Sequence, residues 1–308
     1  MNKITITIVV IVLIVLAGVG GYFWSQSSGD KGVVENQGVA TTTLSSNNET
    51  AVVPPAVVTP DSGQTVIGKS VEGRDIIAYH YGKGEAKLVF VGGIHGGYEW
   101  NTALVAYELV DYLQKNSSTV PANVKVTIIP VLNPDGLYKT VGSATRFTPA
   151  DVPVSQDQQV AGRFNANNVD LNRNFDCDWQ AIGKWQEKTV SGGSSAFSEP
   201  ESQAFKNYVE TNKPTAVVVW YSSANGVFAS SCHNGVSAET NTLTKRYADA
   251  SGYPAYKDFN FYEITGDMVN WLAKSNIPAI SVLLKNHTDT EWTKNLAGVK
   301  TLLEYYSR

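Results

Sequence analysis

Four short apolar runs punctuate the chain: KLVFVGG at 87–93, VKVTIIPVLN at 124–133, TAVVVWY at 215–221 and AISVLL at 279–284. Each is short for a helix, rich in β-branched residues and without a polar face, the pattern of a strand buried on both sides. Ahead of them, TVIGKSVEGRDIIAYHYG at 65–82 reads as a hairpin turned at Glu72 and Gly73. Between the runs, apolar residues return at helical spacing. Leu104, Leu109, Val110 and Leu113 predict a helix from about Glu99 to Lys115. SEPES at 198–202 predicts another start, with Ser198 as the cap and Glu201 completing a capping box. Further helices are expected from about Ser237, Gly266 and Thr290. Buried strands alternating with helices predict one α/β domain over 63–308, with a mixed, mostly parallel central sheet flanked by helices. In such sheets sites gather where strands end. His95, the Asn133-Pro134-Asp135-Gly136 turn and the Tyr221-Ser222 pair all fall at such ends.

The first 62 residues follow neither period. Residues 4–24 are almost wholly apolar behind Lys3, and about 20 such residues suffice to cross a bilayer. Residues 1–24 are expected to be a single-pass signal anchor, with a cleaved signal peptide as the alternative. Either sends the domain out of the cytoplasm. Residues 25–62, with TTTLSSNNET and VVPPAVVTP, read as a linker. A net charge of −4 and the lack of a basic stripe argue against nucleic acid as a partner. The two cysteines, Cys177 and Cys232, favour one disulfide in an oxidising compartment over two buried thiols.

Chemistry enters with GGIHGGYEWN at 92–101, in which His95 and Glu99 stand four apart. Alone, that pair is more often a cap and a solvated helix residue than a metal site. PVLNPDGL, GRFNANNVDLNRNF and SEPES follow it in order. Together these motifs make the chain, from about residue 65 onward, similar to the zinc metallocarboxypeptidases of the carboxypeptidase A/B type and their bacterial branch. The resemblance implies a carboxypeptidase-like fold, a zinc ion and cleavage of the last residue of a peptide. It implies that His95 and Glu99 are metal ligands, in the HGGYE form of bacterial members. It makes Asn172 and Arg173 the clamp on the terminal carboxylate and Arg163 the group that polarises the scissile carbonyl. Tyr262 becomes a mobile tyrosine over the substrate, and Val269 the base of the specificity pocket. Arginine suits both its roles because its planar fork binds carboxylates in pairs and stays charged.

Two family positions carry other residues. Tyr221 stands where the third metal-binding histidine belongs, and Leu283 where the catalytic glutamate belongs. A tyrosine can bind zinc as phenolate, but its ordinary pKa near 10 makes Tyr221 a weak third ligand. Leucine has no titratable atom. Replacements among His80, His233, His287, Asp289 and Glu263 match no family position, and His80 and His233 read more simply as satisfied or surface histidines. Three readings stand. The first is a domain that recognises peptide or cell-wall peptide C-termini with conventional hydrolysis impaired or lost. The second is an active metallocarboxypeptidase using substitutes, and the third a structural surface protein.

Overall fold

A computed structural model describes residues 63–308. The apolar segment at 1–24 and the linker at 25–62 lie outside the described residues. Among the described residues no helix is long and apolar enough to cross a membrane.

The hairpin forms as its pattern predicts. β1 (Gln64–Lys69) pairs antiparallel with β2 (Asp75–Gly82). The turn closes through Gly73, whose φ of +79° favours glycine. The four apolar runs become β3 (Ala86–Val91), β4 (Val124–Ile129), β7 (Ala216–Ser222) and β10 (Ala279–Leu284). They lie side by side and parallel, in the order β4-β3-β7-β10. The hairpin extends one edge. The other carries β8 (Gly226–Ala229), antiparallel to β10, and β9 (Ala255–Tyr256). A separate ribbon, β5 (Ile182–Trp185) with β6 (Lys188–Ser191), has no counterpart in the sequence expectation. Its residues are too few and too polar to announce a strand.

Helices cover both faces. α1 is Trp100–Lys115, α2 Pro134–Val141, α3 Gln156–Ala161 and α4 Pro200–Asn212. α5 is Ala238–Ser251, α6 Met268–Lys274 and α7 Trp292–Tyr305. The pleat sorts side chains by parity. Val218, Trp220, Ile280, Val282 and Leu284 face the core built with α1, α5 and α7. Val217, Val219, Tyr221 and Leu283 face the opposite core, with Phe205 of α4 and Met268 and Trp271 of α6. Tyr221 and Leu283 therefore lie on one face, and β7 and β10 place them directly opposite each other in register.

The capping box expected at SEPES is not formed. Glu199 is the N-cap of α4 and makes no side-chain cap. Ser198 Oγ instead receives Asn174 Nδ2 and donates to Glu199 Oε1. Glu201 turns into the protein, accepting Val71 N and Asn165 Nδ2. A tertiary demand for carboxylates has overridden the local motif. Cys177 and Cys232 form a disulfide, as expected.

Candidate active site

A cavity of about 610 Å³ opens at the C-terminal ends of the parallel strands. His95 sits in the turn after β3, and Glu99 holds the N-cap position of α1 without a side-chain cap. The two glycines between them permit that turn. A Cβ on Gly96 would come within 2.7 Å of the Gly136 backbone, and one on Gly97 within 1.9 Å of Thr140. The turn is thus pressed against α2 and the loop at Gly162. Asn133 caps α2 through Gly136 N and donates to the Arg163 carbonyl, tying the NPDG turn to the GRFN segment.

That segment, 162–175, carries most of the polar groups. Asn165 folds it, receiving Asn167 N and Val169 N on Oδ1 and donating from Nδ2 to Glu199 and Glu201. Arg163 is buried, with Nε and Nη2 on Asp170 Oδ2 at 2.9 and 2.8 Å and Nη1 3.7 Å from Glu99 Oε1. Its guanidinium lies over the Trp185 ring at 4.4 Å. Arg173 spends Nε on the Lys184 carbonyl and Nη1 on the Asn172 carbonyl, while Nη2 takes no acceptor among the described residues. A guanidinium edge left free in this way can bind a carboxylate. The Asn172 amide donates to Asp267 at 2.8 Å and accepts from Met268 N and the Tyr221 hydroxyl, both at 3.1 Å.

Electrostatics follow from burial and neighbours. Burial pushes the Glu99 carboxyl up, but His95 and Arg163 outweigh it and hold the group below the usual range. The same contest, won by Arg163 and His95, keeps Asp170 ionised well below its ordinary value. Burial raises Asp267, and it raises the Tyr221 hydroxyl well above 10, with Asp267 and Glu99 adding to the effect. Burial also lowers the His287 imidazole.

The cavity brings together every site residue the sequence nominates: His95, Glu99, Arg163, Asn172, Arg173 and Tyr221 line it, with Tyr262, Val269 and Leu283. Tyr262 lies beneath the Arg173 guanidinium, 5.9 Å from ring to cation. Val269 is buried beside the aromatic wall of Phe228 and Phe259. Among the other candidates, His287 and Glu263 line the cavity. His80 is satisfied by Thr65 and Thr127, and His233 is exposed in an ion pair with Asp178. Asp289 faces Asn286. Asp170 and Asp267 were not singled out by sequence. Asp170 stood inside a quoted motif, two residues before the Asn-Arg pair, and its position there was the available signal.

The donor set can be tested against zinc. His95 Nδ1 is 3.0 Å from Glu99 Oε1, and Nε2 is 3.3 Å from Asp170 Oδ1. Yet neither ring nitrogen has hydrogen-bond geometry, and Glu99 Oε2 is also buried without a partner. Buried polar atoms are ordinarily paired, so His95 and Glu99 fit a metal, with Asp170 behind the imidazole as carboxylates stand behind metal-bound histidines. The position expected of a third ligand does not fit. The Tyr221 hydroxyl is committed to Asn172, and ionising it in a buried, acidic setting is costly.

The sequence pattern of the family described as zinc carboxypeptidase matches residues 59–295. The chain belongs to the zinc carboxypeptidase family. A zinc carboxypeptidase of Simulium vittatum is 32% identical over 163 residues, covering 50% of this chain and 51% of that protein. The catalytic chain of carboxypeptidase N from Homo sapiens is 29% identical over 182 residues, covering 55% of this chain and 37% of its own length. The match thus spans about half or less of the length of these curated relatives. Among solved structures, carboxypeptidase A of Helicoverpa armigera superposes with a TM-score of 0.61 at 20% identity, covering 79% of this chain and 66% of that one. Bovine thrombin-activatable fibrinolysis inhibitor, in complex with tick carboxypeptidase inhibitor, gives 0.62 at 17% identity over 80% of this chain and 92% of its own. Murein-tripeptide amidase MpaA of Escherichia coli O157 gives 0.55 at 19% identity over 82% of this chain and 98% of its own. These likenesses establish the carboxypeptidase fold.

Proposed function

We propose that this chain is a membrane-anchored, extracytoplasmic member of the family that recognises peptide C-termini, with conventional hydrolysis impaired or lost. In this reading Arg173 and Asn172 take the terminal carboxylate, Arg163 the adjoining carbonyl, and Tyr262 closes over the bound residue. Zinc, where bound, is held by His95 and Glu99, and would supply Lewis-acid polarisation and an activated water. No carboxylate stands at Leu283 to take a proton from that water, a contribution of about 10²–10⁴-fold in such sites. The observation that carries the reading is the pairing of Tyr221 and Leu283 across β7 and β10. Both residues line the cavity with Asn172 and Arg173, which this reading makes the carboxylate clamp.

Val269, with Phe228 and Phe259, favours an apolar or aromatic last side chain, which a panel of peptides differing only in the final residue tests. Placement outside the membrane favours cell-wall peptides among possible ligands. Protease added to intact cells should then digest the domain. The central experiment is peptide binding: Arg173→Ala should weaken affinity for a C-terminal peptide at least tenfold, because a charge-assisted paired bond contributes about 1.5–3 kcal/mol. Unchanged affinity would sink the proposal. A second reading, an active carboxypeptidase using substitute residues, is favoured by the unpaired His95 and Glu99 atoms. It predicts chelator-sensitive release of C-terminal residues.

A further inference from the structure

We propose that His287 supplies the third protein ligand of the zinc site, taking over from a different strand end the role that Tyr221 cannot fill. This rests on the reading that His95 and Glu99 hold zinc. Three observations converge on it. His287 lines the same cavity as His95 and Glu99. Its Nδ1 is buried and without a hydrogen-bond partner, as are His95 Nδ1 and Glu99 Oε2. Its Nε2 faces the Ser223 hydroxyl at 3.3 Å, as Nε2 of His95 faces Asp170 at the same distance.

In both histidines an oxygen stands near Nε2 while Nδ1 is buried without a partner, an arrangement that leaves Nδ1 to a metal once Nε2 carries the proton. The Tyr98 ring, next in sequence to Glu99, packs on the His287 imidazole with centroids 4.6 Å apart. Other polar residues of the cavity lack this combination. Ser222 donates to Asn101.

The site is not gathered. Among the described residues the donor atoms of His95, Glu99 and His287 do not all lie within 4.8 Å of one another. The backbone around His287 is pinned, because Asn101 Nδ2 donates to the carbonyls of Asn286 and Asp289. The approach must therefore come from the side chain, turning inward past Tyr98. A ligand set that assembles only on binding gives a weaker site than a preformed one. His287 as a ligand restores metal affinity and leaves the absence of a base at Leu283 untouched.

The test is zinc affinity of the full chain by competition with a chromophoric chelator. It uses the unaltered protein and the variants His287→Gln, His287→Ala, His95→Gln and His233→Gln, each checked for an unchanged melting temperature. Affinity should fall tenfold or more with either His287 variant and with His95→Gln, and stay unchanged with His233→Gln. In the cobalt-substituted protein, two exchangeable, paramagnetically shifted ring N–H signals should appear, and one should vanish in His287→Gln. Affinity that falls with His95→Gln but not with the His287 variants overturns the assignment of His287 alone. Failure of the unaltered chain to bind zinc overturns it together with the two-ligand reading, while Arg173-dependent peptide binding tests the proposed function separately.

Discussion

In the proposed function Tyr221 and Leu283 act as a pair. They are partners on adjacent parallel strands, about 5 Å apart at such positions. An imidazole at 221 without a carboxylate at 283 would meet an apolar wall. A carboxylate at 283 without the imidazole would be a buried charge beside Asp267 and Glu99. Double replacement by Tyr221→His and Leu283→Glu should raise C-terminal release by at least about 10²-fold, and by more than Leu283→Glu alone. A double effect equal to the product of the two single effects would show that the positions act independently. That Tyr221 and Leu283 line the cavity follows from motif spacing at the strand ends. The fate of the Tyr221 hydroxyl does not, because its acceptor, Asn172, is 49 residues away in sequence.

At the scale of elements, the SEPES segment carries a second lesson. Its Ser and Glu spacing is a helix start by local rules, and α4 does begin there. Its carboxylates serve the loop at 162–175 instead, through Asn165 and Asn167. Burial pushes Glu201 up to about 7, opposed by the Asn165 bond. A carboxyl raised from the ordinary 4.5 binds a proton more tightly in the folded state. Its contribution is fully present below about pH 4.5 and is lost as pH rises through about 7. The difference amounts to about 3 kcal/mol. Glu201→Gln should lower stability at pH 5 and remove this downward slope between pH 5 and 8, read from denaturant unfolding at each pH. An unaltered slope would show that Glu201 does not titrate there. The long strands and helices were legible because apolar periodicity marks them. α2, α3, β5, β6, β8 and β9 were not, since short segments leave too few repeats.

On the scale of the molecule, the cavity is bounded by segments far apart in sequence. The disulfide joins the loop after Arg173 to the loop after β8, closing 55 residues. Chain-entropy reasoning gives about 4 kcal/mol for a loop of that length. The Asp178–His233 ion pair beside it is exposed and adds little. Replacing both cysteines by serine should lower the unfolding free energy by about that amount and weaken peptide binding, since the same crosslink steadies the Arg173 loop. A loss below about 1 kcal/mol would deny the crosslink that role. The fold class and the clustering of site residues were legible, because the motifs fall at strand ends. Asp170 and Asp267 were not, because second-row partners are defined only by three-dimensional contact.

The central claim is the proposal that this pocket grips a chain end while its conventional hydrolysis is impaired or lost. The direct measurement follows a single labelled peptide with a free, apolar C-terminus, incubated with the purified full chain and zinc, reading bound fraction and released residue together. The account predicts saturable binding, lost when the terminal carboxylate is amidated, with the peptide recovered intact. Rapid release of the last residue, abolished by chelator, would contradict it.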